Sequence, residues 1–93
     1  MKIFQSRSFE QKARKLTKQE KEGLDQEVRS IAEDPSIGEE KKGDPRGVFV
    51  YKFKLKAKQY LLAYRKLDEN LELISIGSHE NDYRNLKQYL ENR

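Results

Sequence analysis

From Phe49 to Lys56 the chain alternates strictly: Phe49, Tyr51, Phe53 and Leu55 are interleaved with Val50, Lys52, Lys54 and Lys56. Successive side chains of a strand point to opposite faces, so this block predicts a strand with one apolar and one basic face. Such a strand is stable only if a second layer covers its apolar side.

The residues before it supply that layer. Phe9, Ala13 and Leu16 recur at helical spacing after Ser8. Thr17-Lys18-Gln19-Glu20 has the spacing of a capping box, so a second helix should begin near Lys18. Its buried stripe would be Leu24, Val28, Ile31 and Ala32, and Asp34-Pro35 should end it, because proline disfavours helical geometry in the residue before it. Ile3 and Phe4 suggest a short strand over Met1 to Gln5, and the glycines and prolines between Pro35 and Gly47 predict a connecting loop.

After the alternating block, Ala57-Lys58-Gln59 reads as a turn and Tyr60 to Tyr64 as a strand apolar on both faces. Leu67 to Asn70 reads as a second turn and Leu71 to Ile76 as a last strand, ended by Gly77. From Glu80, Tyr83, Leu86, Tyr89 and Leu90 return to helical spacing. Helices grouped before a run of strands indicate α+β. The expected fold is an N-terminal strand and helical hairpin packed on a mostly antiparallel four-stranded sheet, with a short C-terminal helix. At 93 residues this is one domain, 1–93, with one modest core. Charged residues make up 39% of the chain, yet the apolar ones come in periodic blocks, which indicates folding rather than disorder.

The composition closes several routes. With no cysteine there is no disulfide, thiolate metal site or thiol nucleophile. A single histidine, His79, cannot build a multi-histidine centre, so neither a metal nor a cofactor is expected. No apolar run suggests a signal peptide or membrane span, so a cytoplasmic protein without membrane contact is expected.

Charge is polarised along the chain. Lys41 to Lys66 contains nine Lys or Arg against one acid, Asp44, giving +8, so the remaining residues total −4 of the overall +4. This favours a polyanion on one side of the molecule. Lys52, Lys54 and Lys56 would project from one face at intervals of about 7 Å, close to the phosphate spacing of a single nucleic-acid strand. The alternative is a solvated face; near-absence of acids favours phosphate binding.

His79 follows the last strand in Ile76-Gly77-Ser78-His79, where a side chain can face a cleft. Imidazole titrates near neutrality and suits general acid or base work, although a surface or capping histidine fits equally well. Tyr83, four residues on, shares its helical face; it could stack on a base or join Leu86 and Leu90 in a core.

Taken in order, the Tyr51-Lys52-Phe53-Lys54-Leu55 strand, the Tyr60 to Tyr64 strand and Ile74-Ser75-Ile76-Gly77-Ser78-His79 resemble the RelE/ParE toxin superfamily. The resemblance spans nearly the whole chain and is most specific from Tyr51 to Tyr83. It implies a microbial-RNase-like fold whose sheet holds mRNA in the ribosomal A site, where the RNA 2′-hydroxyl attacks the adjacent phosphate. Carried over, it assigns catalytic roles to Lys52, Lys54, His79 and Tyr83. The arginine it expects after Tyr60 is Leu61 here. Lys56, Lys58, Arg65 and Arg84 are candidates to supply that charge, and Arg46 is a further RNA-binding candidate. The implied partners are a cognate antitoxin with an acidic segment, mRNA and the ribosome. Two other functions stay open: a ParE-like DNA gyrase inhibitor of the same fold, and a non-catalytic single-stranded nucleic-acid-binding module.

Overall fold

The computed structural model describes residues 2–40 and 47–78. The expected C-terminal helix from Glu80 lies outside them. Within them the chain runs β1 (Ile3–Gln5), α1 (Arg7–Arg14), α2 (Lys18–Glu33), a 3-10 turn (Pro35–Ile37), β2 (Glu39–Glu40), β3 (Val48–Leu55), β4 (Lys58–Leu67) and β5 (Asn70–Ser78). The strands form a five-stranded sheet in the order β1-β5-β4-β3-β2, parallel only between β1 and β5. This is the expected α+β arrangement with one strand more.

Both helices start on caps written in the sequence. Thr17 forms a complete capping box: its hydroxyl accepts from the Glu20 N–H at 3.2 Å, and its own N–H donates to Glu20 Oε1 at 2.9 Å. The α1 cap is Ser6, two residues before the expected start, accepting from the Phe9 N–H at 3.0 Å. The same hydroxyl donates to the Ile74 carbonyl oxygen, which ties the helix start to β5.

Phe9 of α1 and Leu24 and Ile31 of α2 are buried against Phe53, Leu55, Tyr60, Leu62, Tyr64, Leu71, Leu73 and Ile76, with Phe49 and Tyr51 packed at the margin. The apolar side of β3 therefore meets the helices as expected. Three tyrosines reinforce the layer: Tyr60 donates to Glu20 Oε2 at 3.2 Å, Tyr51 bonds to Glu27, and Tyr64 donates to the Pro35 oxygen at 2.6 Å while accepting from the Gly38 N–H at 3.0 Å.

The Tyr64 bonds explain the extra strand. They anchor the turn after α2 so that Glu39 and Glu40 lie along β3, opposite Val50 and Phe49. The segment expected to be loop alone thus contributes an edge strand.

The second departure is a β-bulge. On β5, Ser75 pairs with Ala63 and Leu73 with Tyr64, so Ile74 is the additional residue. It shifts the alternation: Leu71, Leu73 and Ile76 all reach the helix-side core, while Ile74 joins Val48, Val50, Leu61 and Ala63 in a separate buried cluster. Val48 and Val50 alternate with residues facing the helices, so this cluster lies on the other face of the sheet.

Candidate nucleic-acid interface

Lys52 and Lys54 flank Phe53 on β3. Phe53 is buried in the helix-side core, so both lysines point away from the helices, and both are exposed. Across from them on β4 stand Leu61, paired with Lys52, and Gln59, paired with Lys54. Leu61 is paired in turn with Gly77, and Tyr60 with Ser78, so β5 ends beside this part of the sheet.

The face is less uniformly basic than the alternation suggested. Its other half is Val48, Val50, Leu61, Ala63 and Ile74, all buried. Leu61, which occupies the expected arginine position, belongs to this cluster at 3% exposure and contributes packing rather than charge.

Lys56 does not continue the lysine row. β3 ends at Leu55, and Lys56 opens the two-residue turn to Lys58 with φ +58°. Hairpin turns of this length need a left-handed residue to follow the twist of the strands. Turned in this way, Lys56 leaves the alternation of β3, and its charge is among the lesser causes that lower the Glu20 pKa. Lys58, expected in the turn, is the first residue of β4; its ammonium lies 5.8 Å from the centre of the Tyr60 ring, on the helix side. Neither lysine therefore shares the face of Lys52 and Lys54.

Arg65 does share it. Along β4, Tyr60, Leu62 and Tyr64 face the helices, so Leu61, Ala63 and Arg65 face the other way. Arg65 pairs with Val48 on one side and Glu72 on the other. Among the described residues its Nε is buried without a hydrogen-bond partner. Arg46, His79, Tyr83 and Arg84 lie outside the described residues.

The ionisable groups with shifted pKa values belong to the helix side. Glu20 is lowered chiefly by the Thr17 N–H, and Asp34 by the Ser36 hydroxyl. Tyr60 and Tyr64 are raised first by burial, and Tyr51 first by its bond to Glu27. A groove of about 680 Å³ between β1, α1 and α2, floored by Ile3, Phe9, Ala13, Leu24 and Leu73, also lies on that side. Among the described residues no cluster of histidine and acids could hold a metal ion, and no helix is long and apolar enough to cross a membrane.

The family model for ParE-like toxins of type II bacterial toxin–antitoxin systems matches residues 3–87. The chain belongs to this family. Solved structures agree across the RelE/ParE superfamily. The toxin is 26% identical to a chain of the intact Escherichia coli RelBE toxin–antitoxin complex, covering 86% of this chain and 98% of that one with a TM-score of 0.68. It is 26% identical to isolated E. coli RelE, covering 96% and 98% with a TM-score of 0.65. The YoeB/ParE toxin of Agrobacterium tumefaciens shares the fold at 22% identity, covering 85% and 99% with a TM-score of 0.66. No curated protein matches the toxin in sequence.

The left-handed turn and the bulge were among the features the sequence did not announce. The turn at Lys56 carries neither glycine nor asparagine, so nothing marks the left-handed residue. The bulge did leave a trace: the spacing of Leu71, Leu73 and Ile76 changes from two to three within one strand.

Proposed function

We propose that this toxin is a metal-independent endoribonuclease that cuts mRNA in the ribosomal A site. The observation that carries the reading is the pair of exposed lysines, Lys52 and Lys54, on the sheet face away from the helices. Its membership of a type II toxin family and its 26% identity to RelE support it.

In the proposed reaction the RNA 2′-oxygen forms a bond to the adjacent phosphorus while the bond to the 5′-oxygen breaks. A 2′,3′-cyclic phosphate and a 5′-hydroxyl result. The chain supplies no nucleophile. Its tasks are to neutralise the extra negative charge on the phosphorane and to move two protons, off the 2′-hydroxyl and onto the leaving oxygen. Lys52 and Lys54 take the first task. His79, from its residue chemistry and the superfamily resemblance, takes a proton-transfer role, and Tyr83 stacks on a base. The partners are mRNA, the ribosome and a cognate antitoxin, the last as in the RelBE complex. The action is cytoplasmic.

Primer extension on mRNA from programmed ribosomes tests the reading. Wild-type toxin should produce discrete A-site cuts ending in cyclic phosphate. Intact mRNA at saturating toxin would refute it.

A second reading, inhibition of DNA gyrase, is favoured by the burial of Leu61 where a phosphate-clamping arginine is expected. Induced cells separate the two: gyrase poisoning breaks DNA and causes filamentation, whereas mRNA cleavage stops translation first.

A further inference from the structure

Phe4 on β1 pairs with Glu72 on β5, and Glu72 with Arg65 on β4, so the three form one row across the sheet. Glu72 sits between Leu71 and Leu73, which both face the helix-side core. The row therefore points to the face that bears Lys52 and Lys54. Among the cations of β3 and β4, Arg65 shares that face with Lys52 and Lys54.

Each end of the row has an unmet requirement. Phe4 is 48% exposed, a large ring on an edge strand with half its surface in solvent. Among the described residues the Arg65 Nε is buried without a hydrogen-bond partner.

We propose that this row holds a nucleotide flanking the cut, with Arg65 binding its phosphate and Phe4 stacking its base. A guanidinium fork matches a phosphate in shape and charge, and an exposed aromatic ring can stack on any base. Glu72 sets the orientation: its carboxylate repels a phosphate from the middle of the row. It also accepts hydrogen bonds from exocyclic amino groups, favouring bases that carry one over uracil. Arg65 lies four residues along β4 from Leu61, the partner of Lys52. That separation is about 13 Å, on the order of two nucleotides of extended single strand. The bound nucleotide is thus next to the reacting phosphate without being part of it. The inference rests on the ribonuclease reading, and Arg65 acts in it as a positioning residue.

The test is single-turnover cleavage on programmed ribosomes, using mRNAs in which one phosphate at a time, one to three nucleotides from the cut, is a neutral methylphosphonate. Wild-type toxin should slow about tenfold at one of these positions. Arg65→Ala should slow by a similar factor on unmodified mRNA and lose nothing further at that position, whereas Arg65→Lys should recover part of the rate. Phe4→Ala should weaken cleavage at every modified position alike, and Glu72→Gln should lose the discrimination against uracil. Fully additive losses for Arg65→Ala and every methylphosphonate would overturn the inference alone, provided cleavage still depends on Lys52 and Lys54. So would an Arg65→Ala variant that cuts normally but releases its antitoxin, since the row would then belong to a protein interface. If wild-type toxin cuts no mRNA of the series, the inference and the ribonuclease reading fall together.

Discussion

Removing one oxygen atom, the Tyr64 hydroxyl, should loosen the turn that follows α2. That hydroxyl donates to the Pro35 oxygen and accepts from the Gly38 N–H, at 2.6 and 3.0 Å. Tyr64→Phe keeps the ring, which stacks on Phe49 at 5.4 Å, and deletes only the two bonds. At about 1 kcal/mol net for each bond, the loss is about 2 kcal/mol. For a chain of this size that lowers the melting temperature by about 8–16 °C. Gly38 supplies an internal check. Its φ of −80° and ψ of 167° suit alanine, but an added Cβ would lie 2.5 Å from the Tyr64 oxygen and 3.0 Å from Cε1 and Cζ. Tyr64 is fully buried and has no room to swing aside. Gly38→Ala should therefore destabilise by about 1–3 kcal/mol in the wild-type background. It should cost less by about 1 kcal/mol when residue 64 is phenylalanine, because the nearest obstructing atom has gone. Thermal and denaturant unfolding of the four proteins measures the cycle. Strict additivity, or a Tyr64→Phe variant that melts with wild type, would refute the anchoring role of the hydroxyl.

Other outcomes follow from the same contacts. Ser6→Ala removes both the α1 cap and the bond to Ile74, so it should cost about 1–2 kcal/mol by denaturant unfolding. Glu20 and Asp34 have lowered pKa values in the fold, so their contribution is present above the ordinary values of 4.5 and 3.8 and is lost as pH falls through the folded ones. Wild-type stability should therefore drop on acidification below about pH 5, and Glu20→Gln should drop less steeply in pH-resolved thermal melts. Lys52→Ala and Lys54→Ala, exposed and away from both helices, should leave the melting temperature within about 2 °C while each reducing the salt dependence of RNA binding by about one counterion.

Much of the architecture is legible because its signals are local and consistent. The Thr17 capping box, the apolar stripe of α2 and the alternation around Phe53 each specify one element and one buried face. What was not legible depends on distant partners. The strand at Glu39 and Glu40 exists because Tyr64, some two dozen positions later, holds the turn preceding it. Val48 and Val50 look like part of a basic face until β4 and β5 bring Leu61, Ala63 and Ile74 beside them. For the interface, two of the three lysines in the expected row keep their place. The third is diverted because a two-residue hairpin requires a left-handed residue and the turn falls one position earlier than the sequence suggests. Arg65 is found on the lysine face only by counting alternation from Tyr60, a parity that composition does not reveal.

The decisive measurement compares two double variants with the same change in charge. In ribosome-programmed cleavage, Lys52→Ala/Lys54→Ala should abolish the cuts, while Lys21→Ala/Lys66→Ala, exposed and outside the lysine face, should cut within about threefold of wild type. Equal losses in the two proteins would mean that total charge matters and the face does not. Undiminished cutting by the first would remove these lysines from the reaction.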